Sequence, residues 1–361
     1  MTASPMTLSP DPGLLEFVRS AARDIFGGSR GITHQPMAGD GSDRTFWRIP
    51  GYGTRPSLVA VSSPPRNAFK RRENRAYLEI GRHLYARGVA VPRIYAFDLD
   101  RGWFLMEDMG ASTLQERVLG GEDPIPLYRR VLDLLFRLQI RGIEGFDPGW
   151  CCQTRAYDTL VMRRYESDYF ADAFLGSFLG LKREVSGLVE AFDHMARKAA
   201  VARPLVLIHR DFQSRNILVG PHRLGIVDWQ GARPGPPGYD LASLIIDPYV
   251  PLKQEAAVEI RRAYEALLRE YSSTLWETFE ETFEYLALQR NLQILGAFSF
   301  LAQSRGKRYF ERYIPPAVAG LRARLLGLGD PALEPLREVV EGTWTRRFAG
   351  ACTGPWTRPA D

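Results

Sequence analysis

Cysteine is scarce in this chain: Cys151, Cys152 and Cys352 are the only three in 361 residues. The adjacent pair points its side chains apart, and none of the three has metal-ligand spacing. A disulfide framework and a structural zinc site are thereby excluded, and a reducing, cytoplasmic setting is expected. No run approaches the ~18 apolar residues of a membrane helix. Residues Met1 to Pro12 have neither the basic start nor the apolar centre of a signal peptide. Charge of one sign is not concentrated either. The net charge is +5, and patches such as Phe69-Lys70-Arg71-Arg72 lack the interleaved aromatics of single-strand binders. Nucleic acid and membrane are therefore not expected partners, and oligomeric state is left open. Internal repeats and low-complexity linkers are also missing. What remains is a globular chain, 45% apolar and 25% charged, long enough for two sizeable cores.

The pattern changes near residue 110. Before it, Leu14 to Phe26 has a helical rhythm stopped by Gly27 and Gly28. Strands are predicted at Ile32 to Met37, Thr45 to Ile49 and Leu58 to Val61, and a helix over Asn67 to Arg87. Two more strands, Arg93 to Phe97 and Trp103 to Glu107, flank the turn Asp100-Arg101-Gly102. Tight turns and a single helix between strands imply an antiparallel sheet. After residue 110, helices are predicted at 127–141, 158–178, 183–202, 254–271, 274–304 and 313–326. The expected organisation is α+β: a small mixed lobe over 1–110, a larger and mostly helical lobe over 111–345, and a tail over 346–361.

One stretch carries chemistry. His209-Arg210-Asp211 is followed at the fifth residue by Asn216, and Ile226-Val227 leads to Asp228. The apolar runs Leu205 to Ile208 and Ile217 to Val219 put Asp211 on a loop between strands, and Leu224 to Val227 delivers Asp228 at a strand end. Phosphoryl transfer from ATP needs this set: Asp211 to accept a hydroxyl proton, with Asn216 and Asp228 to hold Mg²⁺ on the triphosphate. The competing explanation is a polar turn whose Asp and Asn bond their own backbone. The loop, its spacing and the strand-end Asp agree on the first.

Other segments gain meaning from that loop. Gly39-Asp40-Gly41-Ser42-Asp43-Arg44 is a candidate phosphate cover, with Gly39 and Gly41 letting the backbone approach an anion and Ser42 an extra donor, although a hairpin turn reads alike. No G-x-x-x-x-G-K-[ST] occurs, which excludes a P-loop enzyme. The third strand, ending Ser62-Ser63-Pro64-Pro65, has no lysine to pair with a helix glutamate such as Glu73. Arg44, Arg48 and Lys70 are the alternatives. Glu107 to Met109 is a candidate adenine-reading connection. Asp240, separated from Asp228 by eleven residues, would brace the Asp211 loop. So short an interval leaves no room for a regulatory segment and favours a small-molecule acceptor.

At His209-Arg210-Asp211…Asn216, Val227-Asp228-Trp229 and Tyr239-Asp240-Leu241, the chain resembles the aminoglycoside phosphotransferase/choline kinase-like family, over roughly residues 30 to 305. The resemblance implies a bilobal protein-kinase-like fold, with Asp211 as base, Asn216 and Asp228 as metal ligands, and His209 and Asp240 as supports. Segments 39–48, 63–65 and 235–244, with Glu107-Asp108-Met109-Gly110, are similar to the branch of bacterial anomeric N-acetylmuramate and N-acetylglucosamine kinases of cell-wall recycling. That branch also lacks the strand lysine, and the implied partner is a small sugar acceptor. The alternatives are a kinase of an aminoglycoside, choline or another metabolite, and a non-catalytic kinase-like binding protein.

Overall fold

The computed structural model describes residues 9–37, 44–181, 185–220 and 223–348. Its first helix, α1 (Pro12–Phe26), starts where the Asp11 carboxylate accepts the Gly13 N–H and stops where Gly27 turns to φ 71°. Strands β1 (Gln35–Met37), β2 (Thr45–Ile49) and β3 (Leu58–Ser62) follow, then helix α2 (Ala68–Ala86) and strands β4 (Ile94–Asp98) and β5 (Trp103–Glu107). They form one antiparallel five-stranded sheet in the order β1-β2-β3-β5-β4. Strand alternation sends Ile49, Leu58, Ala60 and Leu105 to one face, where they meet Val18 and Ala21 of α1. Phe104 and Met106 face the other way, and the Tyr77 ring of α2 packs on Phe104 while its hydroxyl donates to the Met106 sulfur at 3.2 Å. The β4–β5 turn needs Gly102: at φ 71° a Cβ there would come within 2.0 Å of the Ser63 carbonyl oxygen.

Helices dominate the rest. After α3 (Leu114–Leu119) and α4 (Pro124–Gly142), the helix predicted over 158–178 is broken into α5 (Thr159–Met162) and α6 (Asp168–Phe170), each followed by wider π-type turns, at Arg163–Ser167 and Ala171–Phe178. Helix α7 (Leu188–Ala200) begins later than predicted, after Gly187 at φ 78°. Strands β6 (Val206–Ile208) and β9 (Arg233–Gly235) pair antiparallel, while β7 (Ile217–Val219) and β8 (Leu224–Ile226) form a second two-stranded sheet. Helices α8 (Gly238–Ile245), α9 (Gln254–Tyr271), α10 (Ser273–Gln303), α11 (Ile314–Leu328) and α12 (Glu334–Thr343) complete the chain. The 31-residue α10 is the hub. Its Leu288, Leu292 and Leu295 join Phe170, Phe174, Phe192, Val318 and Leu321 in one core.

The chain packs as two units. One holds the described residues up to Ser112 with Gly149–Gln153 and Leu218–Gly231; the other holds Thr113–Pro148, Thr154–Ile217 and the chain from Ala232 on. Trp229 explains why the Asp228 segment belongs with the sheet. Its indole donates to the Tyr77 carbonyl at 2.9 Å, stacks on the Tyr77 ring at 4.7 Å, and lies so close to Gly81 that a Cβ there would sit 2.7 Å from the indole nitrogen.

Candidate active site

In the helical unit, β6 leads straight into the loop of Asp211. Two buried carboxylates hold its ends. Asp240, in the first turn of α8, accepts the N–H groups of His209 at 2.6 Å and Arg210 at 2.9 Å. Asp247 accepts those of Ser214 at 2.7 Å and Tyr249 at 2.9 Å. Between these staples Arg210 adopts φ 78°, a left-handed turn that costs a non-glycine residue about 1–3 kcal/mol and persists only where its surroundings enforce it. The loop also closes on itself: the Asp211 carbonyl accepts from the Gln213 N–H and from the Asn216 side-chain amide, both at 2.9 Å.

The electrostatics of the three aspartates differ. Burial pushes Asp240 up to about 7 and raises Asp247 as well, in both cases against the pull of the N–H groups they accept. Burial also pushes Asp211 up, but Arg290, Arg210 and His209 outweigh it and hold the carboxyl below its ordinary value. The Asp211 side chain keeps 39% of its surface exposed and so stays reachable, whereas its partner Arg290 keeps 2%. Arg290 Nη1 lies 3.1 Å from Asp211 Oδ1.

Beneath the loop sits Glu166, fully buried in the first π-type turn. The hydroxyls of Tyr157 and Tyr239 each donate to it at 2.6 Å. Burial raises the Glu166 carboxyl despite them. Neither Glu166 nor Arg290 was singled out by motif. A signal existed for Arg290: Gln289-Arg290-Asn291 is a polar run inside the mostly apolar stretch from Leu286 to Ala302. Arg215 donates to Gln115 at 2.9 Å and to the Tyr313 hydroxyl at 3.1 Å, and its guanidinium lies 3.8 Å from the centre of the Tyr249 ring.

The sheet unit holds the second aspartate. Asp228 leaves β8 at φ 69°, and its Oδ1 accepts from Arg44 Nη1 at 3.1 Å and from the Gln230 amide at 2.9 Å. Arg44 also lies 3.5 Å from Glu73, to which Lys70 donates at 2.8 Å. The register explains how a cation reaches Glu73 without a lysine on β3. Thr45 pairs with Ser62, so Arg44 is one residue beyond the last pair and reaches from the neighbouring strand. Arg48 is committed elsewhere, with two contacts to Asp108 at 2.7 and 3.2 Å. Burial pushes Asp108 up, but the bonds from Arg48, Ser57 and the Gly110 N–H prevail and hold it low.

Gly39, Gly41 and Ser42 lie outside the described residues. The Glu107 carboxylate accepts the Arg93 N–H at 3.2 Å and pairs with Arg223, and its own N–H goes to the Arg93 carbonyl at 2.9 Å. Met109 packs down on β8, its methyl 2.5 Å from where a Cβ on Gly225 would be.

A model of the phosphotransferase enzyme family matches residues 33–277, and the chain belongs to that family, whose members use ATP. The N-acetylmuramate/N-acetylglucosamine kinase of Pseudomonas aeruginosa is 31% identical, with 82% of this chain and 86% of that protein covered. Plasmodium vivax ethanolamine kinase superposes with a TM-score of 0.61 at 14% identity, covering 88% of this chain and 91% of that one. The ADP-bound aminoglycoside phosphotransferase APH(2'')-Ib gives 0.56 at 14% identity, covering 85% and 97%. At such identities the two structures speak for the fold alone, and it is the α+β, protein-kinase-like fold expected from the sequence. Among the described residues no helix is long and apolar enough to cross a membrane.

Proposed function

We propose that the protein is a cytoplasmic kinase that transfers the γ-phosphate of ATP to the anomeric hydroxyl of N-acetylmuramate or N-acetylglucosamine, returning recycled cell-wall sugars as 1-phosphates. The observation that carries the sugar is the likeness, over 82% of the chain, to a kinase named for those two sugars. Cationic acceptors such as aminoglycosides or choline have less support. Of the acidic helix residues that could attract them, Glu284 is paired with Arg261 and Arg324 and Glu280 lies 3.7 Å from Arg261, so part of that charge is already neutralised.

In this reading Asp211 accepts the acceptor's hydroxyl proton as that oxygen attacks the γ-phosphorus. The bond to the bridging oxygen breaks, and ADP leaves with the electron pair. A hemiacetal hydroxyl is more acidic than an ordinary alcohol, which suits a carboxylate held below its usual basicity. Arg44, braced by Glu73, steadies the phosphates, with Gly39, Gly41 and Ser42 assigned to their cover and Glu107 to Met109 to the adenine.

Magnesium fits the donor chemistry. Asp228 offers a carboxylate, and Asn216, with its amide nitrogen given to the Asp211 carbonyl, has its side-chain oxygen for a cation. An ion that arrives on a nucleotide needs few protein ligands. Mg²⁺ would neutralise charge developing on the phosphates.

The test is turnover with Mg-ATP and a panel of free sugars, their methyl glycosides, aminoglycosides and choline, with products identified by ³¹P NMR. Free sugar should give an acid-labile 1-phosphate and the methyl glycoside none. Equal phosphorylation of both would overturn the anomeric assignment.

A further inference from the structure

Arg290 lies midway along α10 with 2% of its surface exposed, next to the equally buried Gln289 and Asn291. A guanidinium taken out of water needs an anion to compensate it. Among the described residues the one carboxylate at ion-pair distance is Asp211, 3.1 Å away. The other neighbours are neutral: Gln293 at 2.7 Å, Gln213 at 3.5 Å and the Tyr239 ring at 5.9 Å. Nε has no hydrogen-bond partner. Arginines that tie helices together here look different. Arg261 grips Glu265 and Glu284, and Arg163 donates to the Val189 carbonyl and to Asp193.

Asp211 needs such a partner. On its own loop the bonds of this residue go to its backbone carbonyl, and among the described residues Arg290 alone hydrogen-bonds the carboxylate. We propose that Arg290 is a positioning residue for the transfer step: by gripping Oδ1 from the rigid α10 it aims Oδ2 at the acceptor hydroxyl. The proposal rests on reading Asp211 as the base. Its physical content is orientation, since a misplacement of roughly 1 Å in a reacting group can cost on the order of 10² in rate.

A double-mutant cycle tests it, using Arg290→Gln, Asp211→Asn and the pair. Arg290→Gln should lower kcat by about 10- to 100-fold, with KM for ATP and for the acceptor within about threefold of wild type. Arg290→Lys should recover part of that loss, because it restores the charge but not the fork. In the Asp211→Asn background the same Arg290→Gln change should cost less than about threefold, since the carboxylate it aims is gone. A purely structural arginine would cost the same in both backgrounds, and that additivity would overturn the proposal, as would an unchanged kcat in Arg290→Gln. If Arg290→Gln does not fold, the cycle is run with Arg290→Lys and the same two criteria apply. The cycle reads whichever hydroxyl acceptor the enzyme turns over. An unsubstituted enzyme inactive on free sugars therefore sinks the sugar assignment, whereas additivity sinks the role of Arg290.

Discussion

Asp240 is a carboxylate with no exposed surface, and replacing it with asparagine should change how stability depends on pH. Burial lifts its pKa from 3.8 to about 7, against two accepted N–H groups and Arg290. At ~1.4 kcal/mol per pH unit, that is about 4 kcal/mol between the two protonation states. The sign follows from linkage. The folded pKa is the higher one, so the contribution to stability is fully present below pH 3.8 and drains away as pH rises through about 7. Between pH 4.5 and pH 8 wild type should lose about 3 kcal/mol from this group, while the amide of the Asp240→Asn variant cannot titrate. That amide also turns its nitrogen toward one of the two N–H groups, a mismatch of about 1–3 kcal/mol that does not vary with pH. The expected result is that wild type leads the variant at pH 4.5 and that this lead shrinks by about 3 kcal/mol by pH 8. Urea unfolding at pH 4.5, 6 and 8, with m-values compared, measures it. A lead that stays flat, or grows with pH, would refute the reasoning. It would mean that the short bonds to His209 and Arg210 make the folded carboxyl at least as acidic as the unfolded one.

Asp211→Asn should lower kcat by ~10²–10⁴-fold with little change in ATP affinity; steady-state kinetics at saturating sugar decides, and an unchanged kcat removes Asp211 as the base. Asp228→Ala should bring turnover near background and raise the Mg²⁺ requirement of whatever remains, so a wild-type metal titration would exclude it as a ligand. Arg44→Ala should raise the KM for ATP by about tenfold and that for sugar far less. Arg48→Ala, which breaks the pairing with Asp108, should instead lower stability by about 1.5–3 kcal/mol with ATP affinity kept. The two arginines would be misassigned if their effects were exchanged.

Elements with a clean period and a clean stop were legible in the sequence: β2, β5 and α9 occupy the predicted residues. Those that were missed share identifiable causes. Strand β9 contains Pro234, which reads as a breaker but is tolerated in a three-residue strand. Helix α12 carries Pro335 in its first turn, where a missing N–H costs nothing. Helix α8 is buried on every side, so it has no amphipathic period to detect. The loop of Asp211 and the strand-end position of Asp228 were legible from local spacing. Arg290 was not, because 79 residues separate it from Asp211, and only the fold of α10 brings them together. Arg44 could not be ranked above Arg48 and Lys70, because that choice depends on β2–β3 register.

The two non-glycine residues with left-handed backbones, Arg210 and Asp228, tie these observations into one argument. Each sits where a strand ends, at or just before a carboxylate proposed to act in transfer, and neither is the glycine that local energetics would select. A left-handed residue redirects the chain abruptly while retaining a side chain, which is what a strand end must do to present Asp211 or Asp228 sideways. The strain has to be held by something that does not itself bend. For Arg210 that is the Asp240 carboxylate on α8; for Asp228 it is Trp229, locked between Tyr77 and Gly81 of α2. Each unit thus uses a helix packed against the strand end to fix one turn. Burying Asp240 with a raised pKa is then the cost of a rigid loop, and relaxing Arg210 to an ordinary backbone would swing Asp211 away from Arg290.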